Sequence, residues 1–434
     1  MINYYVDLSL GTSGGTGSSS SPWNATEFMN QFNSNTPVAG GQLEVYNLKG
    51  SYDYTSGQLK WNGLSGGPGK QNEGFTLQPW EGEAEIPPRI TFSGPNSSTF
   101  FGEGCYIGIT SNWFTGPTQD FTIKGMIIEY ARNGGAPPYT STVSFFGGGW
   151  SSSAVNSINF ENCLFLINAP YHSSSKGAFH FWDNGGFGSD PSISFKGCSL
   201  ASVGSNGGYA LAYIDAGSKF LLTEVNTCYY EDPNNSNYAL VVAGYSHPSS
   251  ITYSHCAFFN SSNLTAIGFA DDFGGSGSGV AIIDGGNNLV NLAGASQITN
   301  IRQPISTMTL PDDLYPITGS AIIDAGDPSL GLVTDIFGVT RTYDPNPDIG
   351  CAEYVSTPIP TPSGNGTITN KVLSTNAGVK EKITLPYQGD PNFAVFGGVA
   401  TSSGRNTSQI DNTEAGVTAK KGISGQFDPN FSIF

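Results

Sequence analysis

The stretch INFENCLF at residues 158–165 decides the fold, because its pattern recurs four more times along the chain. The pattern has apolar residues at its first, third and eighth positions and a Cys or Met at its sixth. Its copies are FTIKGMII at 121–128, ISFKGCSL at 193–200, TEVNTCYY at 223–230 and ITYSHCAF at 251–258. Only Thr223 departs from the pattern, and successive copies are 28 to 37 residues apart. Repetition of this kind predicts an array of stacked structural units.

Each copy has the pattern of a strand followed by a bend. Alternation at period two places Ile158 and Phe160 on one face of a strand. The doubled spacer before Cys163 breaks this alternation, so the chain must bend there if Cys163 is also to face inward. Asn162 stands at the bend, and glycine stands there in two other copies, because both residue types tolerate left-handed backbone. The copies therefore predict coils that stack like residue on like residue.

A second strand follows each cysteine after a loop. Its copies are AFHFWD at 178–183, ALAYID at 210–215, ALVVAG at 239–244 and AIGFAD at 266–271. When the copies are aligned on their first alanine, alternate positions fall on one face of the strand. We assign to the interior the face with Phe179, Leu211, Leu240 and Ile267, followed by Phe181, Tyr213, Val242 and Phe269. The other face is also largely apolar. This predicts a sheet covered on both faces, by a loop or by neighbouring subunits.

The rest of the chain is less regular. Residues 1–120 are predicted to hold an N-terminal cap, with a short helix from Glu27 to Phe32, and the first coils. Regular coils follow over 121–300, and a closing β-helix segment over 301–354. Residues 355–366 are a Pro/Gly linker. For residues 367–434 an extended arm and a small β-module both remain possible, and we expect this part to serve docking or assembly.

Composition and charge exclude several classes of protein. Charged residues make up only 12% of the 434 residues, aromatic residues also reach 12%, and there are 58 glycines. These values favour an all-β protein over a disordered one. The formal net charge is −17, and the acidic excess lies before residue 355. An acidic body argues against nucleic acid and anionic membranes as partners.

The first residues do not resemble a secretion signal, because they lack a basic region followed by an apolar run. No apolar run long enough for membrane insertion occurs later in the sequence. A protein of extracellular composition without a signal is expected to be released by another route. We therefore expect a virion or extracellular location reached after host lysis.

The anchored coils resemble the right-handed parallel β-helix superfamily, which includes pectate-lyase-like enzymes and bacteriophage tailspike and fibre proteins. Two further regions resemble secreted bacterial members of it: YYVD at 4–7 with Pro22-Trp23, and AIIDAGD at 321–327 followed by DIFGVTR at 335–341 and DIGCAE at 348–353. The second region is similar to the closing signature of such helices. Over residues 1–354 the resemblance implies an all-β, right-handed, single-stranded parallel β-helix with a C-terminal extension. It implies no particular activity, because this scaffold carries lyases, hydrolases and non-catalytic binders.

Four aspartates are the candidate catalytic residues. Asp183, Asp215 and Asp271 fall at equivalent positions in the second-strand copies, and Asp272 is adjacent. Stacked carboxylates repel one another, which raises a pKa or recruits a cation. A paired-carboxylate glycosidase centre, or a Ca²⁺ site at Asp271 and Asp272, would use such an arrangement. Aspartates that merely end strands and start turns are the alternative.

Aromatic and thiol side chains give the remaining candidates. His180, Trp182 and Tyr230 are candidate sugar-binding residues, because aromatic rings stack on the apolar faces of sugars. Burial of the same residues against a covering segment is the alternative. The cysteines of the repeat lack the pairing and the histidines of a metal site. We expect them to be buried free thiols, with no cofactor other than a possible Ca²⁺.

Three functions remain open. The first is a virion structural protein of the tailspike, fibre or capsid-decoration type. It would be a homotrimer that binds host polysaccharide and docks onto other virion proteins through residues 355–434. The second is a polysaccharide lyase or glycoside hydrolase on the same scaffold. The third is a bacterial surface adhesin. We favour the first, and catalysis is not supported by a recognisable motif.

Overall fold

The structure is a computed structural model. It describes residues 1–34, 42–55, 59–62, 73–82, 87–93, 104–111, 119–131, 143–150, 155–168, 179–183, 192–202, 212–216, 221–230, 240–244, 250–259, 267–270, 281–289, 313–341, 346–354, 367–371, 382–386, 410–412 and 417–419. For several of these strands only the backbone is described. The chain divides into two compact units, Met1–Tyr354 and Val355–Phe434, and each is described by itself.

The described residues of the first unit up to Asp284 lie mainly in strands. Its first elements are β1 Ile2–Asp7, helix α1 Ala25–Phe32, β2 Glu44–Lys49, β3 Ser51–Tyr54, β4 Leu59–Asn62, β5 Gly74–Pro79, β6 Arg89–Phe92, β7 Gly104–Ser111, β8 Gln119–Lys124 and β9 Ile127–Ala131. The next are β10 Val143–Trp150, β11 Val155–Glu161, β12 Leu164–Asn168, β13 Phe179–Asp183, β14 Ser192–Lys196, β15 Ser199–Ser202 and β16 Ala212–Ala216. The last are β17 Leu221–Val225, β18 Cys228–Tyr230, β19 Leu240–Gly244, β20 Ser250–Ser254, β21 Ala257–Phe259, β22 Ile267–Ala270, β23 Ala281–Asp284 and a 3-10 turn at Pro328–Leu330.

These strands form three sheets, all of them parallel. Sheet A has the order β1-β2-β5-β8-β11-β14-β17-β20-β23. Sheet B runs from β3 through β6, β9, β12, β15 and β18 to β21, and sheet C from β4 through β7, β10, β13, β16 and β19 to β22. From β2 onward each sheet takes every third strand of the chain. The architecture is thus mainly parallel β with one α-helix in the described residues, and it is compatible with a parallel β-solenoid.

The second unit has a different type of pairing. Strand β24 (Thr367–Lys371) pairs antiparallel with β25 (Lys382–Pro386), and β26 (Ile410–Asn412) pairs antiparallel with β27 (Val417–Ala419). Antiparallel pairs need only a short connection, whereas parallel pairs need a crossover. These two pairs are therefore local structures, each formed by neighbouring segments of the chain.

The bend between sheet A and sheet B has the predicted backbone conformation. Asn162 has a φ of 51°, Gly125 one of 62° and Gly197 one of 58°. Asn226 and His255 take the same left-handed conformation in the next two coils, with φ of 53° and 49°. The prediction that a left-handed residue stands at the bend is confirmed at Gly125, Asn162 and Gly197. A single such residue turns the chain from one sheet into the next.

The interior between the sheets is built from the repeated apolar positions. Phe160 pairs in register with Phe195, and their rings stack with centroids 4.7 Å apart. Ile158 is likewise level with Ile193, and all four side chains are buried. Cys163, Cys198, Cys228 and Cys256 are buried free thiols, as expected, and Cys351 is a fifth buried free thiol among the described residues. Like residues thus stack on like, as the repeat predicts.

One predicted copy of the repeat is displaced by one residue. Phe195 is level with Glu224, and Ile193 is level with Leu222. Thr227 therefore occupies the cysteine column, and Cys228 lies one position further on, level with Ser199. The alignment on Cys228 was wrong, because a shift by one places Leu222 rather than Thr223 inside. The same shift places the Glu224 side chain in a column of phenylalanines.

Glu224 is a carboxylic acid in the interior. Its side chain is completely buried, and the hydroxyl of Tyr229, which is also completely buried, lies beside it. Burial raises the pKa of Glu224 to about 7, although the neighbouring hydroxyl acts in the opposite direction. Burial penalises the charged form of a carboxyl group because water is excluded. A substantial fraction of Glu224 is therefore protonated near neutral pH.

Helix α1 closes the N-terminal end of the interior. It begins with a capping box, in which the Asn24 side chain accepts from the Glu27 amide and the Glu27 carboxylate accepts from the Asn24 amide. Phe28 and Phe32 are fully buried, and Phe32 contacts the ring of Phe75 with centroids 4.9 Å apart. The predicted helix is confirmed, and it covers apolar side chains that would otherwise face water at the first coil.

The C-terminal part of the first unit does not add a coil. We call residues 313–341 and 346–354 the strap, and none of them belongs to sheets A, B or C. Instead, the strap packs on the outer face of sheet B. The contacting residues of the sheet are Ile127, Leu164, Leu166, Ala201, Cys228, Tyr230, Ala257 and Phe259, and those of the strap are Leu314, Ile322, Ile336, Ile349, Cys351 and Ala352. The prediction of a closing β-helix segment over 301–354 stays a prediction, and within its described residues the chain forms the strap.

We predict that Glu224→Gln makes the protein more stable at pH 8 than the wild type. The folded state retains a proton that the unfolded chain loses near pH 4.5, so wild-type stability falls as pH rises from about 4.5 to about 7. Glutamine has no such ionisation, and the gain at pH 8 should approach about 3 kcal/mol. Urea unfolding of both proteins at pH 5 and pH 8 measures the difference.

The part-exposed Glu161 on sheet A gives the matched control. Glu161→Gln should change stability by a similar small amount at both pH values. If the advantage of Glu224→Gln did not grow between pH 5 and pH 8, the interior placement of Glu224 would be contradicted.

Candidate functional site

The predicted site residues fall into three groups. His180, Trp182 and Asp183 lie in β13 and Asp215 lies in β16, both in sheet C, and only the backbone of these four residues is described. Tyr230 lies in β18 of sheet B with its side chain described. Asp271 and Asp272 lie outside the described residues, so the predicted Ca²⁺ site there stays a prediction.

The register of sheet C does not align the aspartates. Phe179 pairs with Ile214, so Asp215 is level with His180, whereas Asp183 is level with Trp150 of the preceding strand. The predicted equivalence of Asp183 and Asp215 is therefore wrong. The alignment on the first alanine differs from the observed register by three residues between β13 and β16 and by one residue between β16 and β19. Loops of different length set the strand starts, and the alanines do not mark them.

The same register changes which residues share the inner face. Phe179 is completely buried in the interior, and Ile214, Val242 and Phe269 follow it at the same register position. Successive residues alternate between the two faces of a strand. Tyr213 therefore takes a position on the outer face, which corrects its predicted interior position. The inner-face positions are as predicted for Leu240, Val242, Ile267 and Phe269.

His180, Trp182 and Asp215 come together on the outer face of sheet C. His180 and Asp215 are direct register partners on neighbouring strands, which lie about 4.8 Å apart. Trp182 is two residues after His180 and therefore takes the same face. From the sequence, His180 and Trp182 are sugar-binding candidates and Asp215 is a catalytic candidate. The register brings all three to one patch.

Two glycines lie beside this patch. On the preceding strand, Gly147 pairs with His180 and Gly149 pairs with Trp182. Gly108 then pairs with Gly147 one strand further back. Glycine has no side chain, so these positions let a bound molecule approach the backbone closely. The run Gly147–Gly149 lies in strand β10. Its flanking apolar residues were the signal for a strand.

We call the outer-face positions of Gly147, Gly149, His180, Trp182 and Asp215 the sheet C patch. An indole suits stacking on a sugar ring, and an imidazole with a carboxylate suits hydrogen bonds to sugar hydroxyls. Together with the two glycine positions, the set has the chemistry of a shallow site for a polar ring-shaped ligand.

Tyr230 does not belong to this patch. Its side chain is completely buried between sheet B and the strap, and its ring stacks on Phe259 with centroids 4.4 Å apart and planes 4° from parallel. A ring enclosed in this way cannot stack on a sugar. The prediction that Tyr230 binds substrate is therefore corrected, and Tyr230 is a residue of the packing beneath the strap.

In the described part of the chain, no group of three or more His, Cys, Asp or Glu side chains could hold a metal ion. The described residues also contain no helix that is long and apolar enough to cross a membrane. Comparison of the chain with protein-family models, with curated proteins and with solved structures finds no match.

Proposed function

We propose that sheets A, B and C wind as a right-handed, single-stranded parallel β-helix. The regular order of the strands supports this, since each sheet takes every third strand and all pairs are parallel. Crossover connections between parallel strands are right-handed in almost all proteins. The resemblance of the cysteine-anchored coils to the β-helix superfamily points to the same fold.

We propose further that the protein is a glycan-binding structural protein of a bacteriophage virion, of the tailspike, fibre or capsid-decoration type. The observation that carries glycan binding is the sheet C patch, where His180, Trp182 and Asp215 lie beside the two glycine positions. The acidic body favours a neutral host polysaccharide over a polyanionic one. Virion location and release after host lysis rest on the sequence resemblance.

In this proposal the protein is a homotrimer, and residues 355–434 dock onto other virion proteins. The support is that residues 355–434 form a compact unit separate from residues 1–354. Their charge is also nearly balanced, whereas the first unit is strongly acidic. A separate module of different charge is suited to contacts that the solenoid does not make.

A polysaccharide hydrolase or lyase is the second candidate. The observation that favours it is the register pairing of His180 with Asp215, which places a histidine and an aspartate at neighbouring backbone positions, and these two residue types are commonly combined for proton transfer. In that case the patch would break the glycosidic bond of the sugar chain that it binds.

We predict that Trp182→Ala and His180→Ala weaken binding to immobilised neutral bacterial polysaccharides. Loss of aromatic stacking should weaken binding by about threefold to tenfold, and Gly147→Val should weaken it more by filling the glycine position. Surface plasmon resonance over a polysaccharide panel measures the affinity.

Tyr230→Phe is the control, because its buried ring is kept and affinity should not change. Wild-type affinity in Trp182→Ala would contradict the placement of the site. Release of reducing or unsaturated sugar ends by the wild type, lost in Asp215→Asn with binding retained, would favour the enzyme over the structural protein.

We predict that the purified protein forms a particle of three times the 45.6 kDa chain mass. Static light scattering coupled to size-exclusion chromatography measures the mass independently of shape, which matters for an elongated solenoid. A monomer at all accessible concentrations would contradict the trimer.

A further inference from the structure

The outer face of sheet B changes in character along the solenoid. At one register position the residues run Asp53, Thr91, Glu129, Leu166, Ala201, Tyr230 and Phe259, from polar to apolar. The apolar part is the part that the strap covers. Apolar area on a sheet face is normally buried against another element. The strap therefore buries the apolar part of this face.

The strap makes a packing cluster separate from the solenoid interior. Inward-facing residues of sheet B, such as Phe165 and Tyr229, belong to the interior cluster, which contains no strap residue. Outward-facing residues such as Leu166 and Tyr230 belong to the cluster that the strap completes. Within the described residues, the interior packing is thus complete without the strap.

Arg341 joins the strap to the solenoid. Its side chain is 1% exposed, and its Nε and Nη2 donate to the Asn162 Oδ1 at 3.1 and 2.7 Å. Nη2 also donates to the carbonyl of Gly197 at 3.4 Å. A Cβ added at Gly197 would lie 2.9 Å from this nitrogen. The guanidinium is therefore seated on the bend residues of two successive coils.

Within the strap, Arg341 also organises the chain that surrounds it. Nη1 pairs with the Glu353 carboxylate at 2.9 Å, and Nη2 donates to the Gly350 carbonyl at 2.7 Å. Burial raises the pKa of Glu353 to about 8 and that of Asp348 to about 6, and the nearby guanidinium opposes both shifts. Among the described residues Arg341 is the positive partner of these buried groups, and removing one partner of a buried ion pair is strongly destabilising. One side chain thus holds the strap together and holds it on the solenoid.

A second bend residue, Asn226, also bonds the strap. The Asn226 Oδ1 accepts from the Asp327 amide at 2.7 Å, and its backbone carbonyl accepts from the Gly350 amide at 2.8 Å. Asn162 similarly donates to the Thr334 carbonyl at 2.6 Å. The bend line between sheets A and B therefore provides the polar attachment points, and the outer face of sheet B provides the apolar contact.

We propose that the strap is a latch, which opens and closes as a unit on a solenoid that stays folded, and that Arg341 is the residue that locks it. The strap is attached through a few polar contacts and one apolar face, and it shares no sheet with the solenoid. It can therefore detach from sheet B while the interior stays packed. Local opening of this kind has a lower free energy than global unfolding. The open state would expose the apolar outer face of sheet B.

Native cysteines report on the latch without labels. Cys228 and Cys351 belong to the cluster beneath the strap, and the Cys228 thiol donates to the Ile349 carbonyl at 3.1 Å. Cys163, Cys198 and Cys256 lie in the interior cluster instead. Opening of the strap should expose the first pair of thiols and leave the other three protected.

The test is iodoacetamide labelling of the full-length chain under native conditions, with each cysteine quantified by mass spectrometry. In Arg341→Met, labelling of Cys228 and Cys351 should be faster by about tenfold to a hundredfold, since hydrogen bonds to a charged group are lost. Labelling of Cys163, Cys198 and Cys256 should stay at the wild-type rate. Equal acceleration at these five named cysteines, or at none of them, would overturn the proposal.

Asn162→Gly is the milder variant, for use if Arg341→Met does not fold. It keeps the left-handed bend and removes the acceptor of Arg341, so the same two cysteines should react faster by a smaller factor. Asn159→Ala is its matched control, because Asn159 lies on sheet A and bonds Ser157 and Ser194 rather than the strap. Acceleration in the control equal to that in Asn162→Gly would also overturn the proposal.

Discussion

The structure depends on one left-handed residue between sheet A and sheet B. In the coils at Gly125, Asn162, Gly197, Asn226 and His255 this residue turns the chain with only one further residue before the next strand. Most side chains are strained in this conformation, so glycine and asparagine predominate. Because the turn is this short, the strands on its two sides have a fixed relation, and sheets A and B keep the same register from coil to coil.

That rigidity explains which features could be predicted. The strands of sheets A and B, the bend residues, the buried thiols and helix α1 all have local patterns, and the structure contains them. The connections into and out of sheet C differ in length, so alignment of similar sequence segments could not give its register. For this reason the aspartates of β13 and β16 were wrongly matched. Glu224 was missed because a cysteine was used to align a coil in which threonine takes that place. The closing signature was recognised in the sequence, but the contacts of the strap could not be predicted, because they lie at positions that the repeat pattern leaves unspecified.

The three sheets differ in what their outer faces can do. Sheet B is covered by the strap over its apolar part, which removes it from contact with ligands in the closed state. Sheet A presents a row of part-exposed Thr122, Asn159, Thr223 and Thr252. Sheet C combines glycine positions with His180, Trp182 and Asp215, which is the set that carries the proposed glycan site. The parallel sheets thus allow one outer face to be covered while the outer face of another carries the proposed recognition site.

The central claim is that successive coils stack in parallel register, and distances between spin labels on sheet A test it most directly. Thr76, Thr122, Asn159, Ser194, Thr223 and Thr252 occupy one register position on successive strands. With cysteine-attached labels, the account predicts that the separation grows by about 4.8 Å per coil, to about 24 Å between Thr76 and Thr252. Pulsed electron paramagnetic resonance on the pairs of Thr76 with Thr223 and with Thr252 measures it. Separations that do not increase with the number of intervening coils would contradict the stacked architecture.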